Sequence, residues 1–168
     1  MLMSRPDKDK YYLKIALEIA MRGTCLRRNF GAVVVNRDQI VSTGYCGAPR
    51  HTPNCIDIGK CYREEKGIPA GENYELCRSV HAEMNAIIHA ARQDLIGGTM
   101  YIAGMDAKTS KVVDTMPCKL CRRFIINSGI RKIVVARDDM DGSTTHYPDD
   151  WVEISKKEPF ADLEREGY

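Results

Sequence analysis

The sequence predicts an α/β fold in which a mixed sheet of about five strands carries helices on both faces. Three features lead to this prediction. An apolar stripe at helical spacing comes first, two β-branched runs follow it, and later β-branched runs alternate with helical patterns. Strands that alternate with helices need crossover connections, so the sheet should mix parallel and antiparallel neighbours. The 168 residues suffice for a substantial core, and we expect residues 1–168 to form one domain.

The N-terminal third is expected to be a helix packed on a hairpin. Asp7 fits the helix start and Gly23 fits its end. The buried stripe of this helix comprises Tyr12, Ile15, Ala16, Ile19 and Ala20. Residues 31–35 and 40–44 read as two strands, and the polar stretch 36–39 reads as the turn that joins them.

Residues 45–79 form the least regular segment, because glycines and prolines recur too often for long helices or strands. A loop of this length in a compact domain needs a function or an anchor. A structural zinc ion bound by four sulfurs would anchor it, and the candidate ligands are Cys25, Cys55, Cys61 and Cys77. Their irregular spacing leaves partly buried free thiols as the alternative, and His51 could replace one sulfur.

The second half of the chain alternates helices and strands. The predicted order is a helix at 80–93, a strand at 99–103, a helix at 118–128 and a strand at 132–136. Residues 105–116 read as a polar loop with a small hairpin, and residues 138–150 as an acidic surface loop. Residues 151–154 are expected to form a short edge strand, followed by a charged tail at 155–168.

Two short motifs carry the chemistry: His81-x-Glu83, and Pro117-Cys118-x-x-Cys121 downstream. Cys118 and Cys121 are three residues apart, so on a helix they lie on one face and can bind one ion together. Pro117 suits a first helical turn, and a helix N-terminus stabilises thiolates. With His81 they supply three zinc ligands and leave a fourth position for water. This combination matches the H-x-E and P-C-x-x-C signature of zinc-dependent nucleobase deaminases.

Glu83 is the candidate proton carrier of this site. Zinc lowers the pKa of a bound water and creates a hydroxide nucleophile, but two thiolate ligands moderate this effect. A neighbouring base is therefore useful, and Glu83 would take the water proton, protonate the ring nitrogen and supply a proton to leaving ammonia. A C-x-x-C pair alone is often a structural zinc knuckle or a redox pair, and it is the two motifs in this order that favour a catalytic site.

Composition narrows the partners and the compartment. Hydrophobic residues make up 43% and charged residues 29% of the chain, as in ordinary globular proteins. The net charge of +2 does not favour nucleic acid as an obligate partner, and there are few aromatic residues to stack on bases. No apolar run is long enough to cross a membrane, and the first ten residues lack the apolar core of a signal peptide. Seven cysteines without a secretory signal indicate a reducing cytoplasm and metal-bound thiols.

From the first helix through Val135, the sequence resembles the deoxycytidylate (dCMP) deaminase branch of the cytidine deaminase superfamily. The shared segments are Gly31-Ala-Val-Val, Ser42 to Pro49, Asn54-Cys55, His81 to Ala86, and Pro117 to Cys121. The last two are specific to the superfamily, whereas Tyr45 to Pro49 and Asn54-Cys55 point to the deoxycytidylate branch.

This resemblance implies a cytidine deaminase-like three-layer α/β/α sandwich and the reaction of dCMP with water to give dUMP and ammonia. It implies one zinc ion at His81, Cys118 and Cys121, Glu83 as proton shuttle, and the main-chain N–H of Ala82 on the base carbonyl. A second zinc near the site, with Cys25 and Cys55 among its ligands, is common in such proteins. So are homo-oligomers, often hexamers, and regulation by dCTP and dTTP.

Substrate recognition is where the sequence departs from the resemblance. Cys46 replaces the asparagine that helps hold the sugar in relatives, and cysteine is a poor hydrogen-bonding substitute. A 5′-phosphate needs cations, and Arg50 is the first candidate, with Arg27 and Arg28 behind it. Two alternatives stay open: deamination of another cytosine nucleoside, nucleotide or modified base, and a zinc-stabilised binding module without catalysis. The intact Glu83 argues against the second, because a structural zinc site does not need it.

Overall fold

The computed structural model describes residues 5–69, 71–138, 140 and 142–160 of the chain. Its strands are β1 (Arg28–Asn36), β2 (Gln39–Tyr45), β3 (Thr99–Asp106), β4 (Val112–Val113), β5 (Lys132–Ala136) and β6 (Ser143–His146). They form a six-stranded mixed sheet in the order β2-β1-β3-β5-β6, with β4 beside β3. The helices are α1 (Lys8–Ala20), α2 (Cys55–Ile58), α3 (Tyr62–Glu65), α4 (Ala82–Ile88), α5 (Arg92–Leu95), α6 (Lys119–Ser128) and α7 (Pro148–Lys157).

The predicted hairpin is confirmed as β1 and β2, which pair antiparallel. Arg37 and Asp38 form the turn, and both adopt positive φ angles, of 50° and 62°. Such left-handed residues match the twist of the two strands, although neither is the usual Asn or Gly. β1 also pairs antiparallel with β3, whereas β3 and β5 are parallel, so the sheet is mixed as expected.

Helix α1 covers one face of the sheet, and the predicted first helix is confirmed. The carboxylate of Asp7 caps it by accepting a hydrogen bond from the main-chain N–H of Lys10 at 2.8 Å. Gly31 lets β1 approach the α1 backbone closely, because a Cβ there would collide with Ala16 O and Ala20 N. The core on this face joins α1 to the sheet and comprises Tyr12, Leu13, Ala16, Val33, Val35, Tyr101, Ala103, Val134 and Ala136.

The opposite face of the sheet carries α4 and α6, so helices lie on both faces as predicted. Their shared core includes Ala82, Ala86, Ile102, Ile125 and Ile133, all of them fully buried. Helix α6 ends at Ser128, and Gly129 caps it with a left-handed φ of 83°, which glycine adopts readily. This face positions the two motifs, since α4 begins just after His81 and α6 just after Cys118.

The helix predicted at 80–93 is wrong in length. Helix α4 ends at Ile88, Ala91 is extended (ψ 141°), and a separate turn, α5, follows. The side chain of Asn36 donates hydrogen bonds to Asp94 O and Ile96 O at 2.8 and 3.1 Å. The end of β1 therefore holds α5, and this long-range contact replaces the continuation of α4.

The edge strand predicted at 151–154 is also wrong, because those residues lie in α7. Pro148 occupies the first turn of α7, acidic residues follow it, and lysines occupy the last turn. These are helix signals that outweigh the β-branched side chains of the segment. The edge strand is instead β6, inside the expected acidic loop, and it pairs antiparallel with β5. The sheet thus has six strands rather than about five.

The two irregular segments largely follow expectation. Residues 45–79 contain only short helical turns among the residues described there, namely α2, α3 and a 3₁₀ turn at Tyr74–Leu76. The small hairpin predicted within 105–116 is confirmed as β4, which pairs with β3. In the predicted tail at 155–168, residues 155–157 belong to α7, and residues 161–168 lie outside the described residues. None of the described helices is long and apolar enough to span a membrane.

Candidate active site

His81 stands at the N-terminus of α4, where extended backbone becomes helix. The residue before it, Val80, forms an isolated antiparallel bridge with Gly47 at the end of the hairpin. Two side chains of this helical segment contact the β2 backbone: Asn85 Nδ2 donates to Tyr45 O at 2.7 Å, and His89 Nδ1 lies 2.8 Å from Thr43 O. The start of α4 is therefore fixed relative to the sheet, and the imidazole of His81 is fixed with it.

Cys118 and Cys121 lie at the start of α6, as their spacing predicts. Cys118 is the N-cap residue, and its Sγ accepts a hydrogen bond from the main-chain N–H of Cys121 at 3.4 Å. The Nε of Arg122 donates to Pro117 O at 3.1 Å and so ties down the residue before the pair. Both thiols are buried, Cys121 completely.

The three predicted ligands converge. His81 Nδ1 lies 3.4 Å from Cys118 Sγ and 3.3 Å from Cys121 Sγ. Among the described residues, these three form the group of His, Cys and acidic side chains that could hold a metal ion, with ligand atoms within 4.8 Å of one another. One nitrogen and two sulfurs suit zinc, and three protein ligands leave a fourth position open, as in catalytic zinc sites.

The electrostatics of the two thiols also suit metal binding. The hydrogen bond with Cys121, and after it the interaction with His81, lowers the pKa of Cys118. The same partnership with Cys118, together with burial, raises the pKa of Cys121. One thiolate is thus favoured before any ion arrives, and a metal ion would favour loss of the second proton.

Glu83 lies one residue into α4 and is buried, with only 6% of its surface exposed. Burial raises the pKa of this carboxyl group, and the neighbouring His81 acts in the opposite direction. Glu83 also hydrogen-bonds to the Cys121 side chain. A buried carboxyl with a raised pKa, next to a metal-binding group, is suited to accept and return a proton.

One cavity contains this group and most of the predicted substrate contacts. Its solvent-accessible volume is about 180 Å³, and it opens to the surface. Its lining includes His81, Ala82, Glu83, Cys118, Cys46 and Arg27, together with Arg28, Phe30 and Met116. The site residues predicted from two distant motifs therefore share one cavity with the end of the hairpin.

Cys46 is nearly buried in the lining of this cavity. Its Sγ accepts a hydrogen bond from the main-chain N–H of Phe30 at 3.3 Å and lies 3.5 Å from Asn29 Oδ1. Burial raises the pKa of Cys46 to about 12, so the thiol is neutral at pH 7. Arg50, the first candidate for a phosphate contact, is exposed in a turn and is not among the residues that line the cavity.

The four cysteines proposed for a second zinc ion are neighbours without forming a compact ligand group. Burial is the largest cause that raises the pKa of Cys55, and the charges of Cys25, Cys61 and Cys77 each raise it further. Cys25 and Cys77 also line the cavity. Among the described residues, however, the ligand atoms of these four do not come as close together as those of the first group.

Arg63 and Tyr74 are among the cavity residues that sequence analysis did not identify. They lie in the irregular segment, and the Tyr74 ring packs edge-on against the His81 ring with centroids 5.0 Å apart. The guanidinium of Arg63 stacks over Tyr74, 4.8 Å from its ring centre. The helical turn Tyr62-Arg-Glu-Glu65 resembles a solvated surface turn, so no local pattern identifies Arg63 as a buried cavity residue.

Comparison with known proteins agrees with this geometry. Residues 6–137 match the family model for the cytidine and deoxycytidylate deaminase zinc-binding region. The deoxycytidylate deaminase of Mycobacterium phage D29 is 38% identical over 141 residues, covering 81% of this chain and 99% of its own. The Saccharomyces cerevisiae deoxycytidylate deaminase is 35% identical over 80% of this chain, which spans only 39% of that longer protein.

Solved structures show the same fold. The dCMP deaminase of cyanophage S-TIM5, crystallised with dCMP and dUMP, superposes with a TM-score of 0.58 at 22% identity, over 80% of this chain and 84% of its own. Cytidine deaminase from Burkholderia pseudomallei gives a TM-score of 0.54 at 16% identity, over 82% and 91% of the two chains. The sheet, the motif positions and these matches agree, and the chain belongs to the cytidine and deoxycytidylate deaminase family.

Proposed function

We propose that this protein catalyses the hydrolytic deamination of dCMP to dUMP and ammonia. The observation that carries the proposal is the convergence of His81, Cys118 and Cys121 beside a buried Glu83, at a cavity that His81, Glu83 and Cys118 line. The Mycobacterium phage D29 and Saccharomyces cerevisiae relatives, which each match about four fifths of the chain, are named deoxycytidylate deaminases, and this favours dCMP over other cytosine compounds.

Each residue of the site has a distinct role in this reaction. His81, Cys118 and Cys121 would hold zinc, which when bound acidifies a water molecule and so supplies the nucleophile at neutral pH. Glu83 would accept one proton from the attacking water and deliver it to the ring nitrogen of cytosine. It would then take the second proton, from the hydroxyl now on the ring carbon, and give it to the amino group, which leaves as ammonia while the hydroxyl oxygen becomes the carbonyl of dUMP. Burial of Glu83 supports this role, because it raises the pKa of the carboxyl group.

Substrate recognition involves the rest of the cavity. We assign the main-chain N–H of Ala82 to the base carbonyl, since Ala82 is fully buried in the lining between two site residues. Arg27 is the better-placed candidate for the 5′-phosphate, because it lines the cavity and Arg50 does not. Cys46 lies where the sugar is expected and offers it a neutral thiol rather than the amide of relatives.

A second, structural zinc ion is part of the proposal. Two observations support it: Cys25 and Cys77 line the same cavity, and the charges of Cys25, Cys61 and Cys77 each raise the pKa of Cys55. Bound zinc would draw the thiols together and anchor the irregular segment beside the cavity. Zinc analysis tests this: wild type should bind two equivalents, and Cys55→Ser should bind one while retaining the catalytic ion.

The assembly and the compartment are also proposals. We expect a homo-oligomer, with a hexamer as the size suggested by the family resemblance. Exposed apolar side chains on α4 and α6 support self-association: Ile88 is 66% exposed and Phe124 is 43% exposed. Light scattering would measure the size of the oligomer.

Regulation by dCTP and dTTP rests on the resemblance alone and is tested by the effect of these nucleotides on initial rates of deamination. None of the seven cysteines forms a disulfide, which suits a reducing cytoplasm.

The decisive assay follows ammonia release from dCMP, CMP, deoxycytidine and dCTP, each supplied separately to the zinc-loaded protein. Turnover of dCMP alone supports the proposal. Turnover of another compound in the set keeps the mechanism but changes the substrate. If the zinc-loaded protein leaves all four intact, the proposed substrate class is wrong, and modified bases or a non-catalytic role come next.

A further inference from the structure

Arg63 is a buried cation without a carboxylate partner among the described residues. Only 6% of its surface is exposed, and no salt bridge joins it to a carboxylate in that part of the chain. Its terminal nitrogen donates to Pro69 O and Glu72 O, at 2.7 and 2.5 Å. Its Nε is buried and has no hydrogen-bond partner in the described ranges. A buried guanidinium with an unpaired N–H donor, beside a cavity, is suited to bind an anion there.

The position of Arg63 shows where that anion would lie. Arg63 lines the same cavity as His81 and Glu83. Its guanidinium lies 4.8 Å from the ring centre of Tyr74, and that ring centre lies 5.0 Å from the centre of the His81 ring. The guanidinium is therefore no farther from the imidazole than these two steps together. An anion at the guanidinium would therefore lie in the same cavity as a base held at the metal-binding group.

The charge of the cavity points the same way. Three arginines line it, namely Arg27, Arg28 and Arg63, whereas the described lining contains a single carboxylate, Glu83. Two thiolates and one zinc ion would cancel in formal charge, so the positive charge close to the catalytic group comes from these arginines. Arginine is suited to phosphate because its planar set of N–H donors matches phosphate oxygens. Of the three, Arg63 is the buried one, and burial strengthens its interaction with an anion.

We propose that Arg63 is a specificity-determining residue that selects substrates with a 5′-phosphate over the corresponding nucleosides. The free Nε–H, together with the buried charge, binds the phosphate when the base is at the metal group. The stacked Tyr74 and the two carbonyl acceptors hold the guanidinium in place before the substrate arrives, which reduces the entropy lost on binding. This inference rests on the proposed function and deepens it.

The test compares dCMP with deoxycytidine in wild type, Arg63→Gln and Arg63→Lys. In Arg63→Gln, kcat/KM for dCMP should fall roughly 10- to 100-fold, the range expected for one charged hydrogen bond. The kcat/KM for deoxycytidine should not change, so the ratio of kcat/KM for dCMP to that for deoxycytidine should fall by the same factor. Arg63→Lys keeps the charge without the Nε donor and should lose less, in the same substrate-selective way. This variant also keeps the test valid if the Gln variant does not fold.

Arg78→Gln is the matched control. Arg78 lies in the same irregular segment, is exposed, and donates to Pro53 O at 3.0 Å, but it does not line the cavity. Its replacement should leave the preference for dCMP unchanged. Zinc content and melting temperature are measured for every variant. An equal loss for both substrates in Arg63→Gln, with or without loss of zinc, overturns the proposal, because Arg63 would then serve only the structure of the segment.

Binding measurements separate this inference from the proposed function. If wild type turns over no cytosine compound, the proposed function fails at that point. Calorimetric titration with dCMP and with deoxycytidine still tests Arg63. Tighter binding of dCMP that depends on Arg63 supports the inference, and equal weakening of both ligands in the Gln variant contradicts it.

Discussion

Replacing Gly44 by alanine should displace the helix that carries the site. Gly44 lies in β2, directly under α4, and a Cβ there would collide with three backbone atoms of that helix: Ala82 O, Asn85 C and Ala86 N. Backbone atoms cannot rotate away as side chains do, so α4 must move off the sheet. We expect this to lower the free energy of unfolding by about 1–3 kcal/mol, as for other overpacked cores. Because His81 and Glu83 move with α4, kcat should also fall, and a shift near 1 Å can cost about 100-fold.

The sign of the stability change makes this prediction decisive. Where alanine fits, a Gly→Ala replacement stabilises a protein by about 0.4–1 kcal/mol through the unfolded state. Ser42→Ala is the matched control on the same strand, since Ser42 Oγ is buried without a hydrogen-bond partner among the described residues. That change should be neutral or slightly stabilising and should leave activity intact. Urea unfolding and dCMP turnover measure both effects, and a Gly44→Ala protein that is as stable and as active as wild type would refute the packing argument.

Three further changes probe the site and the two faces of the sheet. Cys121→Ser should abolish zinc binding at the catalytic site, because it removes one of three converging ligands; zinc analysis after dialysis checks this. Tyr101→Phe removes a 2.8 Å hydrogen bond to Asp9 on the α1 face and should cost about 1 kcal/mol in urea unfolding without changing turnover. Asn36→Ala removes both hydrogen bonds that hold α5 and should lower stability by about 1–2 kcal/mol, again with normal kcat. Loss of activity in either of the last two would contradict the separation of these contacts from the site.

The metal-binding group could be predicted from sequence because its information is local. Cys118 and Cys121 are one helical turn apart, and Glu83 is two residues from His81, so each half of the site lies within a single short motif. The first helix and the hairpin were predictable for the same reason, since their periodicity extends over many residues. In the sequence, only the order of the two motifs indicated that they belong to one site. The structure brings them together because α4 and α6 lie side by side on one face of the sheet.

Elements that depend on distant contacts could not be predicted in this way. The break after α4 depends on Asn36, nearly sixty residues away from the atoms it binds. Strand β6 is polar and pairs with β5 at the edge of the sheet, so it lacks the apolar run of an interior strand. Trp151 lies in a β-branched segment, but in α7 its ring packs under the guanidinium of Arg122, 5.3 Å away. Arg63 is a cavity residue that could not be predicted for the same reason, because its burial depends on how the whole irregular segment folds around it.

The most direct test of the central claim is Glu83→Gln. Glutamine has nearly the same shape and is not a zinc ligand in this site, so the variant should keep the zinc content and melting temperature of wild type. Its kcat for dCMP should fall by roughly 100- to 10,000-fold, the usual contribution of a general acid–base group. Zinc analysis and ammonia release from the same preparation give both results. A zinc-loaded Glu83→Gln protein that deaminates dCMP at the wild-type rate would contradict the account.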